Sequence, residues 1–290
     1  VPAELRAVLF DMDGTLVDTE GLWWQACAAV AAELGLELAG ADTDHVLGRP
    51  VEHTAAHLLR RVRAGQAPTR QDHRRRGGTR QGRPCPDGVP ARPGPPLLGP
   101  SVPGPPVPGP APSGTADLPG TTGLPEAAGA RAAGTSAETV GARLTGAFAE
   151  RIAGGVTPLP GAIRLLDELR AAGVPTALVT ASPRRIVDMV LRTVGAERFR
   201  LVVAAEDTAR GKPSPDPYLK AAAALGADPA ECVAVEDSPA GLAAARAAGC
   251  RVVAVPGDGA VPYGVLAVGS LEKVDLSLLR RLAAGKISVS

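Results

Sequence analysis

The chain has 290 residues, 45% of them hydrophobic and only 2% aromatic, with a formal net charge of +1. That length admits one large domain or two modest ones, and the apolar content supplies a core of Ala, Val and Leu rather than rings. Near-neutrality excludes a general pull toward nucleic acid or membrane, and no apolar run reaches the length of a membrane span.

Residues 6–10 predict a first strand, apolar on both faces as in the middle of a parallel sheet. It runs into Asp11 and Asp13, one residue apart, then Gly14 and Thr15. Two carboxylates this close raise each other's pKa unless a cation or a proton sits between them. Asp-Gly is also an ordinary turn signal, so the rest of the chain must decide. From Thr19 the period becomes helical, through Leu22, Trp23, Ala26, Val30, Ala31 and Leu34, and Gly35 stops it. Trp23 and Trp24 are expected to pack this helix. A polar loop over 40–45 leads through Leu47-Gly48-Arg49-Pro50 to a second helix over 51–62. His53 and His57 stand at i and i+4 on it without a third metal ligand, which predicts a polar helix face.

Composition then breaks. Residues 64–134 hold more than half of the prolines and contain no Lys, Ile, Phe, Tyr or Met. Such a stretch builds neither helix nor strand nor core. Two readings stand: a disordered insertion, or a stretch of a GC-rich gene read out of frame. Its arginines (Arg70, Arg74, Arg75, Arg76, Arg80, Arg83) resemble a basic arm, but nucleic acid is not the expected partner. Helical pattern resumes at Ser136, through Val140, Leu144, Phe148 and Ile152.

From Val156 strand and helix alternate. Helices are predicted over 160–172, 183–194 with Ser182 as N-cap, 216–225, 239–248 and 276–283. Strands are predicted over 175–179, 201–205, 232–235 and 251–255, with a short one over 265–268. Repeated βα units imply a parallel sheet with right-handed crossovers and ligands at the carboxyl ends of its strands. Those ends carry Asp11 and Asp13, Thr180, then Lys212 in the loop after the third strand, then Glu236 and Asp237. Clustered carboxylates suit Mg²⁺, and a hydroxyl and an ammonium suit phosphate oxygens. Cys27, Cys85, Cys232 and Cys250 form no metal spacing and read as free thiols. With no leader pattern at the start, a cytoplasmic location is expected.

Four stretches carry a resemblance: Asp11-Met12-Asp13-Gly14-Thr15 with the residues to Glu20; Thr180; Gly211-Lys212-Pro213 with the residues to Tyr218; and Val235-Glu236-Asp237-Ser238 with the residues to Gly241. In these the chain resembles the haloacid dehalogenase superfamily, in its β-phosphoglucomutase-like and phosphoglycolate-phosphatase-like branch. The resemblance implies an α/β fold: a Rossmann-like core (1–17 and 156–290) with an inserted helical cap (18–155) interrupted by the segment 64–134. It implies a Mg²⁺-dependent phosphatase of a small phosphorylated metabolite, such as a sugar phosphate, working through an aspartyl phosphate as a monomer. Asp11 would be the nucleophile and Asp13 the general acid and base. Thr180 and Lys212 would hold the phosphoryl oxygens. Asp11, Asp13 and Asp237 would hold the metal, with Glu236 a ligand or its support. Arg49 of the cap would meet the far end of the substrate. An acid at position 13 argues for an oxygen leaving group, since a halide needs no proton. Two alternatives are a phosphosugar mutase with the same core residues, and an impaired chain whose disordered segment binds partners.

Overall fold

A computed structural model describes residues 4–66, 135–255, 262 and 264–287. The expectations for the proline-rich segment from residue 67 onward, its arginines and Cys85 lie outside these residues. Residues 64–66 continue a helix rather than begin the break.

Six parallel strands form the main sheet. In chain order they are β1 (Ala7–Phe10), β4 (Thr176–Val179), β5 (Leu201–Val203), β6 (Cys232–Glu236), β7 (Arg251–Ala254) and β8 (Leu266–Ala267). Their order across the sheet is β5-β4-β1-β6-β7-β8, so β1 is central. It pairs with β4 (Val8 opposite Thr176) and with β6 (Val8 opposite Val233). The pleat divides its side chains: Val8 and Phe10 enter one core, Ala7 and Leu9 the other. The first core is closed by α5 (Ala162–Ala171), α6 (Arg184–Val194) and α9 (Leu276–Ala283). The second is closed by α7 (Asp216–Ala224) and α8 (Pro239–Ala247), whose alanines Ala221, Ala222, Ala244 and Ala245 approach the sheet closely. Small residues make up most of these helix faces, with Tyr218 of α7 the aromatic side chain among the described residues of this core.

Between β1 and β4 lies a helical layer. It comprises α1 (Glu20–Glu33), α2 (Thr43–Val46), α3 (Val51–Gln66) and α4 (Ala137–Ile152), with a core of its own around Cys27, Val30, Leu58, Val140 and Leu144. Ser136 caps α4, accepting from the Thr139 amide at 3.1 Å. A two-residue antiparallel ribbon, β2 (Val17–Asp18) against β3 (Thr157–Pro158), joins the layer to the sheet.

The predicted loop over 40–45 is instead a 3₁₀ turn (Gly40–Asp42) and α2. Asp42 explains the difference: its buried carboxylate accepts from the Ala39 amide (2.9 Å), His57 Nε2 (2.7 Å) and Arg61 (2.5 Å). His57 and Arg61 come from α3, beyond the reach of a local reading.

Candidate active site

The cluster starts from β1. The Asp11 amide donates to Val235 O at 3.0 Å, so the sheet still holds the chain where its side chain leaves it. The chain then turns sharply at Gly14, where φ is +79° and a Cβ would sit 2.1 Å from Asp237 Oδ2. Only glycine satisfies both the backbone and the space.

Lys212 is the hub. The residue is only 6% exposed, and its ammonium donates to Asp11 Oδ1 (2.5 Å), Glu236 Oε1 (2.6 Å) and Val179 O (2.8 Å), which uses all three protons. Burial alone would lower its pKa, but the charges of Asp11 and Glu236 override that and hold it above the usual lysine value. Glu236, fully buried, is saturated. Its Oε1 also accepts from Tyr218 OH (2.7 Å), and its Oε2 accepts from the amides of Asp237 and Ser238 and from the Ser238 hydroxyl, each at 3.1 Å. Gly241 makes room for it, since a Cβ there would sit 1.7 Å from Glu236 Oε1. The face of Tyr218 lies 5.2 Å from the ammonium.

Asp13 has a different environment. Its Oδ1 accepts from the Thr19 hydroxyl and its Oδ2 from the Ser182 hydroxyl, both at 2.7 Å. Burial raises its pKa, and the two hydroxyls pull it back in part. Ser182 is therefore not the N-cap of α6. Glu206 accepts from the Arg184 amide instead, at 3.1 and 3.0 Å, which leaves the serine to Asp13. Thr180, buried at the end of β4, accepts from the Ser182 amide at 3.0 Å and faces the same cavity.

Oxygens of Asp11, Glu236 and Asp237 lie within 4.8 Å of one another. Burial pushes the Asp11 carboxyl well up despite Lys212, with Glu236, Asp237 and Asp13 adding to the rise. Burial and the charge of Glu236 push Asp237 up to about 7, while Thr15, donating to its Oδ1 at 2.9 Å, works the other way. Hard oxygen donors with desolvated, mutually repelling charges fit a small divalent cation such as Mg²⁺.

The cluster opens into a cavity of about 110 Å³ between the sheet and the helical layer. Trp23, Arg49 and Phe148 line it from above. Trp23 also packs its layer, meeting Phe148 edge to face with centroids 5.4 Å apart. Arg49 is exposed at the rim, and its Nε donates to Asp44 O at 2.9 Å. His53 and His57 lie apart from the acidic cluster: His57 on Asp42, and His53 3.4 Å from His45 Nδ1.

A model of the haloacid dehalogenase-like hydrolase family matches residues 5–249. Hexitol phosphatase A of Escherichia coli (strain K12) is 44% identical over 124 residues, covering 43% of this chain and 54% of that protein. Protein CbbY of Rhodobacter capsulatus is 42% identical over 116 residues, covering 38% and 51%. The chain spans about half the length of these relatives. The crystal structure of CbbY from Rhodobacter sphaeroides in complex with phosphate aligns with a TM-score of 0.64 at 24% identity, over 95% of this chain and 99% of that one. A likeness at that identity shows the shared fold.

Proposed function

The chain belongs to the haloacid dehalogenase-like hydrolases, and from that premise we propose that it cleaves the phosphate monoester of a small metabolite with Mg²⁺, by way of a phosphoryl group carried on Asp11. The observation that carries this reading is the contrast between two buried acids on one strand end. Asp11 faces an ammonium at 2.5 Å and Asp13 faces two hydroxyls at 2.7 Å. The Lys212 ammonium favours the ionised form of Asp11, against the burial and neighbouring carboxylates that push its pKa up, and a divalent cation bound there would act in the same direction as the ammonium. The environment of Asp13, with burial raising the pKa, favours a group that carries and returns a proton.

An Asp11 oxygen attacks phosphorus, the bond to the leaving oxygen breaks, and that oxygen takes the Asp13 proton. Water then gives a proton to Asp13 and attacks the same phosphorus, and the bond to Asp11 breaks. Thr180 and Lys212 neutralise the oxygens in flight. Asp11, Asp237 and the backbone carbonyl of Asp13 would hold Mg²⁺, whose charge offsets repulsion between the Asp11 carboxylate and a phosphate dianion. Glu236, with both oxygens filled, holds Lys212 in place.

Release of phosphate from an aryl phosphate tests the reading. Chelation should abolish it and added Mg²⁺ restore it; turnover untouched by chelator contradicts the metal assignment. Names such as hexitol phosphatase put sugar phosphates in the first substrate screen.

Two further results are expected. A carboxylate binds the metal only when deprotonated, and burial with the charge of Glu236 pushes Asp237 up to about 7. Apparent Mg²⁺ affinity should therefore weaken as pH falls below 7, by up to ~tenfold per unit, in titrations of activity against metal. Ser182→Ala removes a bond that favours the charged form of Asp13 and so raises its pKa further. The first step needs the protonated acid, so the alkaline limb of kcat/KM should move to higher pH, with kcat down roughly tenfold. An unmoved limb would show that Ser182 does not bear on the proton transfer.

A further inference from the structure

The helical layer holds a second titratable cluster, away from the acidic strand ends. His45 of α2 stands between His53 and His57 of α3. Its ring stacks on His57, with centroids 4.3 Å apart and planes 21° from parallel. Toward His53 the centroids are 5.6 Å apart, while His45 Nδ1 and His53 Nε2 are 3.4 Å apart. The two nitrogens therefore face each other almost along the line between the rings. A metal does not fit on that line, since Zn²⁺ needs ~2.0–2.1 Å to each nitrogen. The gap suits an N–H···N bond, which exists only while one of the facing nitrogens carries a proton and the other does not.

The surroundings oppose a second proton. His53 also faces Arg49 of the turn and Arg60 and His57 of its own helix, and burial with these positive charges holds it below the ordinary histidine value. Of the acids at hand, Asp42 is spent on His57 and Arg61, while Asp44 and Glu52 are exposed and bond to neither imidazole of the pair. Helix α2 is only four residues long, so it keeps its place through its neighbours. Besides the imidazole contact, Thr54 Oγ1 donates to His45 O at 3.2 Å and Trp23 Nε1 donates to Val46 O at 2.8 Å. The residues that follow, Leu47, Gly48, Arg49 and Pro50, line the cavity.

We propose that the His45–His53 contact is an acid-sensitive clasp: sharing one proton, it holds α2 and the turn after it against α3, and a second proton opens it and withdraws that wall of the cavity. The clasp rests on the phosphomonoesterase reading above only for its effect on turnover. The clasped His53 binds its proton more weakly than a released one, so acid favours release, and the change falls below the ordinary histidine value of ~6.5.

The test is a pH titration of the full chain, followed by ¹H–¹⁵N NMR at the indole N–H signals of Trp23 and Trp24. Trp23 reports on α2 directly, because its indole proton is bonded to Val46 O. From about pH 7.5 to about pH 5.5 the Trp23 signal should move in the wild type. It should stay nearly still in His53→Gln, whose amide can meet His45 but takes no proton. His45→Asn puts the amide on the other side of the contact and should behave in the same way. A wild-type signal that does not move, or that moves equally in the variants, overturns the proposal. With saturating Mg²⁺ and an aryl phosphate, KM should rise a few-fold more in the wild type than in His53→Gln over the same range. Equal KM profiles overturn the link to the cavity. Absence of phosphate release at any pH, with the indole titration intact, would overturn the phosphatase reading and leave the clasp standing.

Discussion

Asp11→Asn should abolish phosphate release, lowering kcat by at least ~10⁴-fold, while the protein keeps its fold. The substitution removes the nucleophile without changing the shape of the strand end. An amide oxygen can still accept from Lys212, which also keeps Glu236 and Val179 O as partners. The site loses one of several crowded negative charges, the same charges that raise the Asp11 and Asp237 pKa values. Thermal unfolding of the metal-free variant should therefore lie within a few degrees of the wild type. Residual activity near the wild-type level would mean that the phosphoryl group is not transferred to Asp11. A collapse of the melting temperature would mean that the carboxylate is needed to hold the strand end together.

Lys212→Met should cost both activity and stability. Removing a donor aimed at developing charge typically lowers kcat by ~10²–10³-fold. The stability cost has a separate origin. Glu236 is fully buried and loses its counter-charge, and breaking a buried ion pair by removing one partner costs about 3–5 kcal/mol. At ~2–4 °C per kcal/mol for a protein of this size, the melting temperature should fall by about 10 °C. The double variant Lys212→Met with Glu236→Gln separates the two effects. It should recover part of the lost stability, because the fully buried Glu236 charge is gone and only Asp11 is left without the ammonium, and none of the activity. Differential scanning calorimetry and steady-state kinetics on the three proteins check this. Recovery of activity in the double variant would remove Lys212 from the reaction.

The acidic strand ends were legible in the sequence because a parallel sheet brings the carboxyl ends of its strands to one edge. Asp11, Thr180, Lys212 and the Glu236–Asp237 pair are far apart in the chain, and the order β5-β4-β1-β6 places their strands side by side. Ser182 was legible only as a helix cap, since a serine before Pro183 and a helix is a local signal. Its true partner lies 169 residues away, and the capping task falls to Glu206 on a different loop. The helical turn over Gly40–Val46 was hidden for a similar reason. Asp42 reads as a polar loop residue until His57 and Arg61 close on it. The β2–β3 ribbon is two residues per strand, too short for alternation to show, and Val17 finds Pro158 only once the helical layer is in place. The saturation of Glu236 is likewise a property of the fold. Sequence offers the residue as metal ligand or support, and five hydrogen bonds to its oxygens favour support.

The central claim is that Asp11 carries the phosphoryl group. The most direct measurement is acid-quenched intact mass on Asp13→Asn, incubated with Mg²⁺ and an aryl phosphate, followed by peptide mapping. Without its general base, and with an aryl leaving group that departs without the acid's proton, the variant should form the acyl phosphate faster than water removes it. The account predicts a protein heavier by one phosphoryl group, with the added mass on the peptide containing Asp11. Phosphate release without any such adduct, or an adduct mapped to another residue, would contradict it.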